Sequence, residues 1–245
     1  MFRIRIQNKK KCIWYCSAVV SFLLFLLLLG WTNHLANTQD AQQMAGRWSE
    51  KKDVAQISCF FSSKAEVTED TIQSFEYSLK NVLQEASITE TSENPSARLW
   101  VDAYSADGKI TLVNGKNTLD ANAIGIGGDF FMFHPLKLIT GSYFSGNDLM
   151  QDYCIIDQDA AWQLFGSNDV VGMTVYIGNV PHIVTGVVQR PDSRMDKAAG
   201  LNSTVVYVSY ETLSAYGTNN GINHYEIVMP NPVDEFAYGK VKEGI

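Results

Sequence analysis

The side chains that could carry chemistry in this chain of 245 residues include four histidines, and these are scattered. No two of them stand four residues apart, and none has a cysteine partner: His34, His134, His182 and His224. A zinc site needs about three or four converging nitrogen, sulfur or oxygen ligands. The spacing therefore predicts no metal centre, and we interpret His182 and His224 as ordinary strand residues.

Three aspartates close together in the sequence, Asp152, Asp157 and Asp159, form the other candidate group. Paired carboxylates can perform acid–base catalysis or bind calcium. These three lack the alternating acidic spacing of a calcium-binding loop, and helix capping already accounts for Asp157. An anchored surface hydrolase is a hypothesis that depends on this cluster alone.

A glycine-rich stretch, Gly125-Ile126-Gly127-Gly128, resembles a phosphate-binding loop only in part. It lacks the Lys-Ser/Thr pair of a P-loop and the full G-x-G-x-x-G spacing of a dinucleotide site, so we predict that these glycines form a turn. No G-x-S-x-G elbow or cysteine–histidine signature marks a nucleophile elsewhere in the sequence. The sequence thus predicts a chain that is not an enzyme, with no catalytic residue and no cofactor.

Charge is unevenly distributed, with 19 lysines and arginines against 26 acidic residues and a net charge of -7. The first acidic residue is Asp40. Five cations precede the first long apolar run: Arg3, Arg5, Lys9, Lys10 and Lys11. The rest of the chain therefore carries 14 basic against 26 acidic residues. Phosphate backbones repel so acidic a domain, and nucleic acid is not an expected partner.

The apolar run covers residues 13–31 and contains no charged residue. As a helix it would be roughly 28 Å long, close to the ~30 Å hydrocarbon core of a bilayer. Trp14, Tyr15 and Trp31 lie at its ends, where aromatic rings favour the headgroup level. The preceding cations predict that residues 1–12 are a cytoplasmic tail of a single-pass cell-membrane protein whose main domain is extracytoplasmic. A cleaved signal peptide is the alternative, although its apolar core is normally only about 7–15 residues long.

Residues 32–52 are predicted to form a stalk, in which the anchor helix continues to about residue 45. Cys12 and Cys16 belong to the cytoplasmic end of the anchor, so Cys59 and Cys154 lie outside the membrane. These two could pair in a disulfide. Each also lies in an apolar, strand-like stretch, where a buried thiol behaves as a small hydrophobic group. The sequence leaves both states open.

The first part of the exported region predicts a strand, a helix and two further strands. A strand at 54–61 precedes the helix, which Thr68 caps. Strands at 98–104 and 109–113 are predicted to form a β-hairpin around Asp107-Gly108. The apolar face of the helix has a helical spacing: Ile72, Phe75, Leu79, Val82, Leu83 and Ala86.

A second unit is predicted to start near Gly141. In it a strand, YCII, leads into a helix that Asp157 caps and Gly166 ends. The later predicted elements are a hairpin of 173–177 with 182–188, a loop at 190–202, a strand at 203–208, a short helix between Ser209 and Gly217, and a strand at 224–229.

Within residues 141–188, the order of glycines and apolar residues resembles the MacB-like periplasmic core domain of ABC transporter permeases of the MacB/FtsX group. Its pattern is a glycine turn, a hydrophobic strand, a helix ending in Leu-Phe-Gly, a Val-Gly step, a hairpin and a Val-x-Gly-Val strand. Ser142 and Met173 depart from it, where the family often has arginine and lysine. The residues that carry the resemblance are Gly141, Phe144, Ala161, Leu164, Phe165, Gly166, Val171, Gly172, Val184, Gly186 and Val187.

This resemblance implies an α+β fold with two subdomains. A mixed α/β layer would comprise residues 53–140 and 203–232, a β-rich insert would comprise residues 141–202, and residues 233–245 would be a C-terminal segment. Family permeases have three further membrane helices after this domain, so we expect a truncated or split permease or an anchored single-pass relative.

The resemblance also implies a non-catalytic role that couples to a separate ABC ATP-binding subunit and to a second permease copy, in a homo- or heterodimer. Conformational change driven by that ATPase would serve export, or the handling of lipoproteins or peptides. Any nucleotide would bind the partner, because this chain has no P-loop. The alternative is an independent, membrane-anchored module that binds a peptide or a lipid.

Overall fold

The computed structural model describes residues 2–49, 53–89, 97–191, 193–198 and 202–245. The chain forms two compact units, Met1–Gln43 and Met44–Ile245. The first unit is mostly one helix, α1 (Phe2–Asn37). By length and composition, its part Ile13–Asn37 could cross a membrane, and its side chains are exposed rather than packed in a protein core. Trp14, Tyr15 and Trp31 are among these exposed side chains.

The predicted continuation of the anchor helix to about residue 45 is wrong. Helix α1 ends at Asn37, and a 3-10 turn follows at Asp40–Gln42. The hydroxyl of Thr38 donates a hydrogen bond to the carbonyl of Leu35 at 2.8 Å. The backbone N–H of Thr38 donates to the same carbonyl, and that of Gln39 donates to the Ala36 carbonyl, so the last turn tightens into the 3-10 pattern in which helices commonly end.

The second unit mixes strands and short helices along the chain. Its elements are α2 (Met44–Trp48), β1 (Val54–Phe60), α3 (Glu69–Glu85), β2 (Val101–Asn114), β3 (Asn117–Gly128), α4 (Phe130–Phe133), β4 (Leu138–Gly141), β5 (Tyr153–Asp157), α5 (Gln158–Phe165), β6 (Thr174–Ile177), β7 (Val180–Val188), α6 (Arg194–Ala198), β8 (Val205–Ser209), α7 (Tyr210–Tyr216), β9 (Thr218–Asn219), β10 (His224–Pro230) and α8 (Phe236–Gly244).

The strands of the described residues join in one mixed sheet with the order β1-β10-β2-β3-β8-β5-β7-β4. Strand β8 runs parallel to β3 and β5 runs parallel to β7, whereas the other neighbours in this order are antiparallel. Strand β6 pairs with both β2 and β7, and β9 pairs with β2. The predicted α+β fold class is confirmed. The boundaries of the two predicted subdomains stay a prediction. Strands from both predicted subdomains belong to this one sheet.

The hydrophobic core lies on both faces of the sheet. Along β5, Cys154 and Ile156 belong to one apolar cluster, and Ile155 between them belongs to the other. This alternation is the two-residue period of a strand buried on both faces. Helices α3, α5, α7 and α8 contribute to the first cluster, and α2 and α4 contribute to the second.

The predicted hairpin around Asp107-Gly108 is wrong. Strand β2 continues through both residues to Asn114, and the chain turns at Gly115, whose φ is +61°. Instead of turning, β2 pairs with β9 at this position, and Thr218 of β9 lies in the paired region. A Cβ atom on Gly108 would lie 2.3 Å from the Thr218 carbonyl oxygen, so this glycine permits close approach of a backbone and not a turn.

The glycines at 125–128 are also not a turn, because they lie in β3. Two of them, Gly125 and Gly127, leave room for a neighbouring side chain. A Cβ atom on Gly125 would lie 2.7 Å from the Leu213 side chain, and one on Gly127 would lie 1.9 Å from the Tyr104 ring. The missing side chains therefore make room for α7 and for a tyrosine of the neighbouring strand.

The predicted helix boundaries that depend on capping are confirmed. Helix α3 begins after Thr68, whose N–H binds the Thr71 hydroxyl oxygen at 3.4 Å. Helix α5 begins after Asp157, which accepts from the Ala160 N–H at 2.8 Å. In α3 the buried face is narrower than predicted, since Val82 is half-buried and Ala86 is exposed. Its buried residues are Ile72, Phe75, Leu79 and Leu83.

The other sequence-predicted elements are found close to their expected places. The second hairpin turns at Gly178-Asn179, where both residues have positive φ, as a two-residue turn requires. Ser209 caps α7 by accepting from the Thr212 N–H at 3.1 Å. The segment 190–202 was expected to be a loop throughout, but it contains the short helix α6.

Candidate functional site

The family-motif glycines occupy strained or crowded positions. Gly166 ends α5 with φ +74°, and Gly172 has φ +82° in the turn that leads to β6. Gly141 has φ +86°, and a Cβ atom there would lie 2.1 Å from the Thr185 carbonyl oxygen. A Cβ atom on Gly186 would approach the Ser142 carbonyl oxygen to 3.0 Å. A side chain at any of the first three would strain the backbone.

The apolar motif residues contribute to the core, with two exceptions. Ala161, Leu164, Val184 and Val187 lie in the first cluster. Phe144 lies in the second, where its ring makes an edge contact with Phe131, at a centroid distance of 5.7 Å. Phe165 is only half-buried and Val171 is 43% exposed. Phe165 packs at the edge of the first cluster, whereas Leu164 beside it is 1% exposed and points into the core.

The acidic cluster is built around a cation that sequence reasoning missed. Oδ2 of Asp157 accepts from Nη2 of Arg190 at 2.7 Å and from its Nε at 3.0 Å. Nη1 of Arg190 lies 2.5 Å from Oδ2 of Asp159. Arg190 also donates to the Asn202 carbonyl at 3.0 Å and to the Thr204 hydroxyl at 2.8 Å. Two of the three aspartates are therefore held in an ion-pair network.

This network explains the aspartates structurally. The carboxylate of Asp157 is almost completely buried, with 3% of its side chain exposed. It also accepts from the backbone N–H groups of Ala160 and Val205. Within the described ranges, no group of three or more histidines, cysteines, aspartates and glutamates is arranged to hold a metal ion. The cluster thus fastens β5, β8 and the end of β7 together, which gives Asp157 and Asp159 a structural role.

A cleft of about 700 Å³ lies beside this network. Its apolar lining includes Ile124, Val205 and Tyr207, and Lys137 at its rim is exposed. Burial is the main cause that raises the pKa of Tyr207 to about 12. The phenol is therefore neutral at physiological pH. A mixed lining of this kind can receive an amphipathic molecule.

A second cleft, of about 500 Å³, lies between α3 and β2. Two carboxyl groups face each other on its wall, Glu76 from α3 and Asp102 from β2, and they share a hydrogen bond. The Tyr225 hydroxyl donates to Oδ2 of Asp102 at 3.0 Å, and the Tyr104 hydroxyl donates to Oε1 of Glu69 at 2.9 Å. This group had no signal in the sequence, because its members come from three separate elements.

The pKa values of Glu76 and Asp102 are both raised above those of ordinary carboxyl groups. Burial, and then the neighbouring charge of Asp102, raises the pKa of Glu76 to about 8. Burial also raises the pKa of Asp102, although hydrogen bonds from Glu76 and Tyr225 act in the opposite direction. Two carboxylates in contact cannot both be charged without strong repulsion. At neutral pH the pair consequently shares a proton.

The histidines and cysteines make local contacts. His182 lies in β7 and His224 in β10, which confirms that both are strand residues. Nδ1 of His182 lies 3.0 Å from the Val180 carbonyl oxygen, and its Nε2 lies 3.2 Å from the Thr212 hydroxyl. His134 forms a hydrogen bond with Glu226. These contacts satisfy the imidazoles of His182 and His134 inside the fold.

Cys59 and Cys154 are both free thiols. Cys154 is buried and Cys59 is half-buried. Burial raises the pKa of the Cys154 thiol to about 12 and also raises that of Cys59. The structure therefore favours the second of the two states that the sequence left open, in which each thiol packs as a small apolar group.

Comparison with protein families identifies the domain. The model of the MacB-like periplasmic core domain matches residues 20–244. This chain belongs to the MacB-like periplasmic core domain family. The match extends well beyond residues 141–188, where the sequence pattern is clearest, so it includes α3, the central strands β2 and β3, and α8.

Curated relatives of this MacB-like domain include proteins named macrolide export ATP-binding/permease protein MacB. The one from Chromobacterium violaceum is 32% identical over 99 residues, 40% of this chain and 15% of the relative. The one from Pasteurella multocida is 30% identical over 98 residues, 39% of this chain and 14% of the relative. The matched segments thus span less than a fifth of the length of these relatives.

Two solved structures are similar to this MacB-like chain. The extracellular domain of the noncanonic ABC-type transporter YknZ from Gram-positive bacteria is 20% identical, with a TM-score of 0.46, covering 75% of this chain and 87% of that one. The periplasmic region of MacB from Actinobacillus actinomycetemcomitans is 23% identical, with a TM-score of 0.43, covering 60% of this chain and 66% of that one.

Proposed function

We propose that this chain provides the extracytoplasmic domain of an ABC transporter permease subunit and has no catalytic activity of its own. The observation that carries this proposal is the family match over residues 20–244. The apolar segment Ile13–Asn37 supports it, because such a helix can attach the domain to a membrane. The ion-pair network of Arg190 supports it further, because it gives the aspartates a structural role.

The domain then works by binding and movement. A separate ABC ATP-binding subunit hydrolyses ATP in the cytoplasm, and a second permease copy completes the transporter. The extracytoplasmic domain transmits the resulting conformational change to exported molecules, lipoproteins or peptides. The cations before the apolar segment support a cytoplasmic N-terminus.

Co-purification from native membranes tests the partners. The tagged full-length chain is extracted in mild detergent, and the bound proteins are identified by mass spectrometry beside an untagged strain as control. We expect a P-loop ATPase and a permease copy, with ATP hydrolysis in the complex and none in the isolated chain. Recovery of the chain without any ATP-binding subunit, at normal expression, would contradict the proposal.

Labelling of intact cells tests the orientation. Asn8→Cys and Ser63→Cys are each introduced into a chain whose Cys12, Cys16 and Cys59 are replaced by alanine, and the cells receive a membrane-impermeant maleimide. Ser63 is exposed in the second unit, so its cysteine should react, whereas the cysteine at position 8 should react only after the cells are broken. The reverse pattern would place the N-terminus outside.

The second candidate function is that of a membrane-anchored module that binds a peptide or a lipid. The cleft of about 700 Å³ favours it, since its lining combines apolar side chains with Lys137 and Arg190 at its edge. Saturable binding of peptides or lipids to the full chain in nanodiscs, together with the absence of an ATPase partner, would favour this function over the first.

A further inference from the structure

We propose that the carboxyl pair Glu76–Asp102 is a proton-dependent latch, which holds helix α3 against strand β2 and releases it when the shared proton is lost. The two side chains come from different layers of the fold and meet on the wall of the 500 Å³ cleft. A contact between two carboxyl groups is attractive only while a proton lies between them. Loss of that proton turns the same contact into a repulsion.

The surroundings fix one half of this latch. Asp102 lies in β2, paired with Ile227 of β10, and its Oδ2 accepts from the Tyr225 hydroxyl at 3.0 Å. Glu76 lies on α3, with Phe75 before it and Leu79 after it on the buried face. The sheet side is therefore held by backbone pairing and by a tyrosine. The helix side is held by apolar packing, which can yield locally without unfolding.

In the described part of the chain, two cations line this cleft without outweighing burial: Lys80 is exposed to solvent, and the charge of Arg98 lowers the pKa of Asp102 less than burial raises it. The only guanidinium on this cleft among the described residues, that of Arg98, lies 2.5 Å from Oδ2 of Asp129 and 5.9 Å from the centre of the Trp48 ring. Asp129 and Glu69 add negative charge near the pair, which increases the repulsion after deprotonation. Several titratable or charged groups face the pair. Helix α3 contributes Glu69 and Lys80, β2 contributes Tyr104, and β10 contributes Tyr225. Arg98 comes from residues 97–100, Asp129 lies between β3 and α4, and Cys59 of β1 faces Tyr225.

The elevated pKa of Glu76, about 8, places the release at mildly alkaline pH. Below that value the helix covers the cleft, and above it the helix moves away from Asp102 and the cleft widens. Apolar packing of Ile72 and Leu83, which are fully buried, keeps the helix attached at both ends. The expected movement is consequently a local opening and not global unfolding.

Hydrogen exchange of the full chain in nanodiscs tests the latch. Exchange of α3 peptides, corrected for the intrinsic effect of pH, is compared at pH 6.5 and pH 9.5, with β3 peptides as internal reference. We expect α3 exchange to rise on the order of tenfold between these pH values. In Glu76→Gln, which cannot become charged, we expect less than about a twofold rise. The control Glu85→Gln removes an exposed carboxylate from the same helix and should behave as the unaltered chain does.

Equal α3 exchange at both pH values in the unaltered chain would overturn the proposal, and so would an equal rise in Glu76→Gln. If Glu76→Gln does not fold, ¹³C NMR of the glutamate carboxyl carbons in the unaltered chain decides. One glutamate that titrates in the alkaline range supports the latch. Titration of all glutamates near their ordinary pKa, in the acidic range, overturns it.

Discussion

Arg190 and Asp157 form a buried ion pair between segments that are 33 residues apart, with Nη2 of the arginine 2.7 Å from Oδ2 of the aspartate. Only 15% of the arginine side chain and 3% of the aspartate side chain are exposed. Asp157 is at the same time the N-cap of α5. One carboxylate therefore fixes both the start of a helix and the end of β7.

Arg190→Leu should strongly destabilise the second unit. Removing the arginine leaves the Asp157 carboxylate buried without its cation, which typically costs about 3–5 kcal/mol. The measurement is urea unfolding of the full chain, followed by circular dichroism. Arg194→Leu is the matched control, because Arg194 is exposed in α6, and it should change stability by less than about 0.5 kcal/mol. Equal effects of the two substitutions would contradict the proposed role of Arg190.

Replacing Leu164 by alanine should lower stability more than replacing the larger Phe165 does. Leu164 is 1% exposed, whereas Phe165 is half-buried at the edge of the first cluster. Leu164→Ala should lower the free energy of unfolding by about 2–5 kcal/mol, as is usual for a fully buried leucine. Phe165→Ala should cost less, because its ring already contacts solvent. A larger effect at Phe165, measured in the same unfolding experiment, would show that the phenylalanine fills the core.

Gly127→Ala should be destabilising although it adds one methyl group. The new Cβ atom would lie 1.9 Å from the Tyr104 ring, and that ring is held by the hydrogen bond from Tyr104 to Glu69. Overpacking of this kind typically costs about 1–3 kcal/mol. Gly46→Ala is the control, since no atom lies within 4 Å of its added Cβ. The two variants are compared by thermal unfolding, and a neutral result at Gly127 would contradict the close contact.

The free energy of unfolding should fall as pH rises from about 4.5 to about 8. In that range the folded chain keeps the proton of Glu76, whose ordinary pKa of 4.5 is raised to about 8. The unfolded chain loses it, so the folded state binds more protons and stability decreases with pH. Glu76→Gln should remove this dependence and stabilise the chain at pH 8 by roughly 1–2 kcal/mol, after allowance for partial exposure. Urea unfolding at pH 5 and pH 8 measures both effects, and a parallel pH dependence in the variant would contradict the assignment.

Features set by neighbouring residues could be predicted from the sequence. The caps at Thr68, Asp157 and Ser209 depend on residues within one helical turn, and the turn at Gly178-Asn179 depends on two residues that adopt positive φ. The hairpin before it was misplaced because Asp107-Gly108 carries a turn signal similar to that of Asn114-Gly115. Only the long-range pairing with β9 distinguishes them.

The candidate site depended on contacts that are distant along the chain. Arg190 meets Asp157 across 33 residues, and Tyr225 meets Asp102 across 123 residues. Neither pair has a fixed spacing that a motif could express. The role of the β3 glycines could not be predicted from neighbouring residues either. These glycines leave room for Leu213 and Tyr104, whose positions no local sequence pattern contains.

Strand β2 is long enough to connect two distant parts of the second unit. Its 14 residues correspond to roughly 45 Å of extended chain. Asp102 lies near one end of this strand. At the other end, the side-chain amides of Asn114 and Asn117 both donate to the Leu164 carbonyl, at 3.2 and 2.9 Å. The continuous pairing of β2 with β3 therefore connects the region beside α3 directly with the last turn of α5.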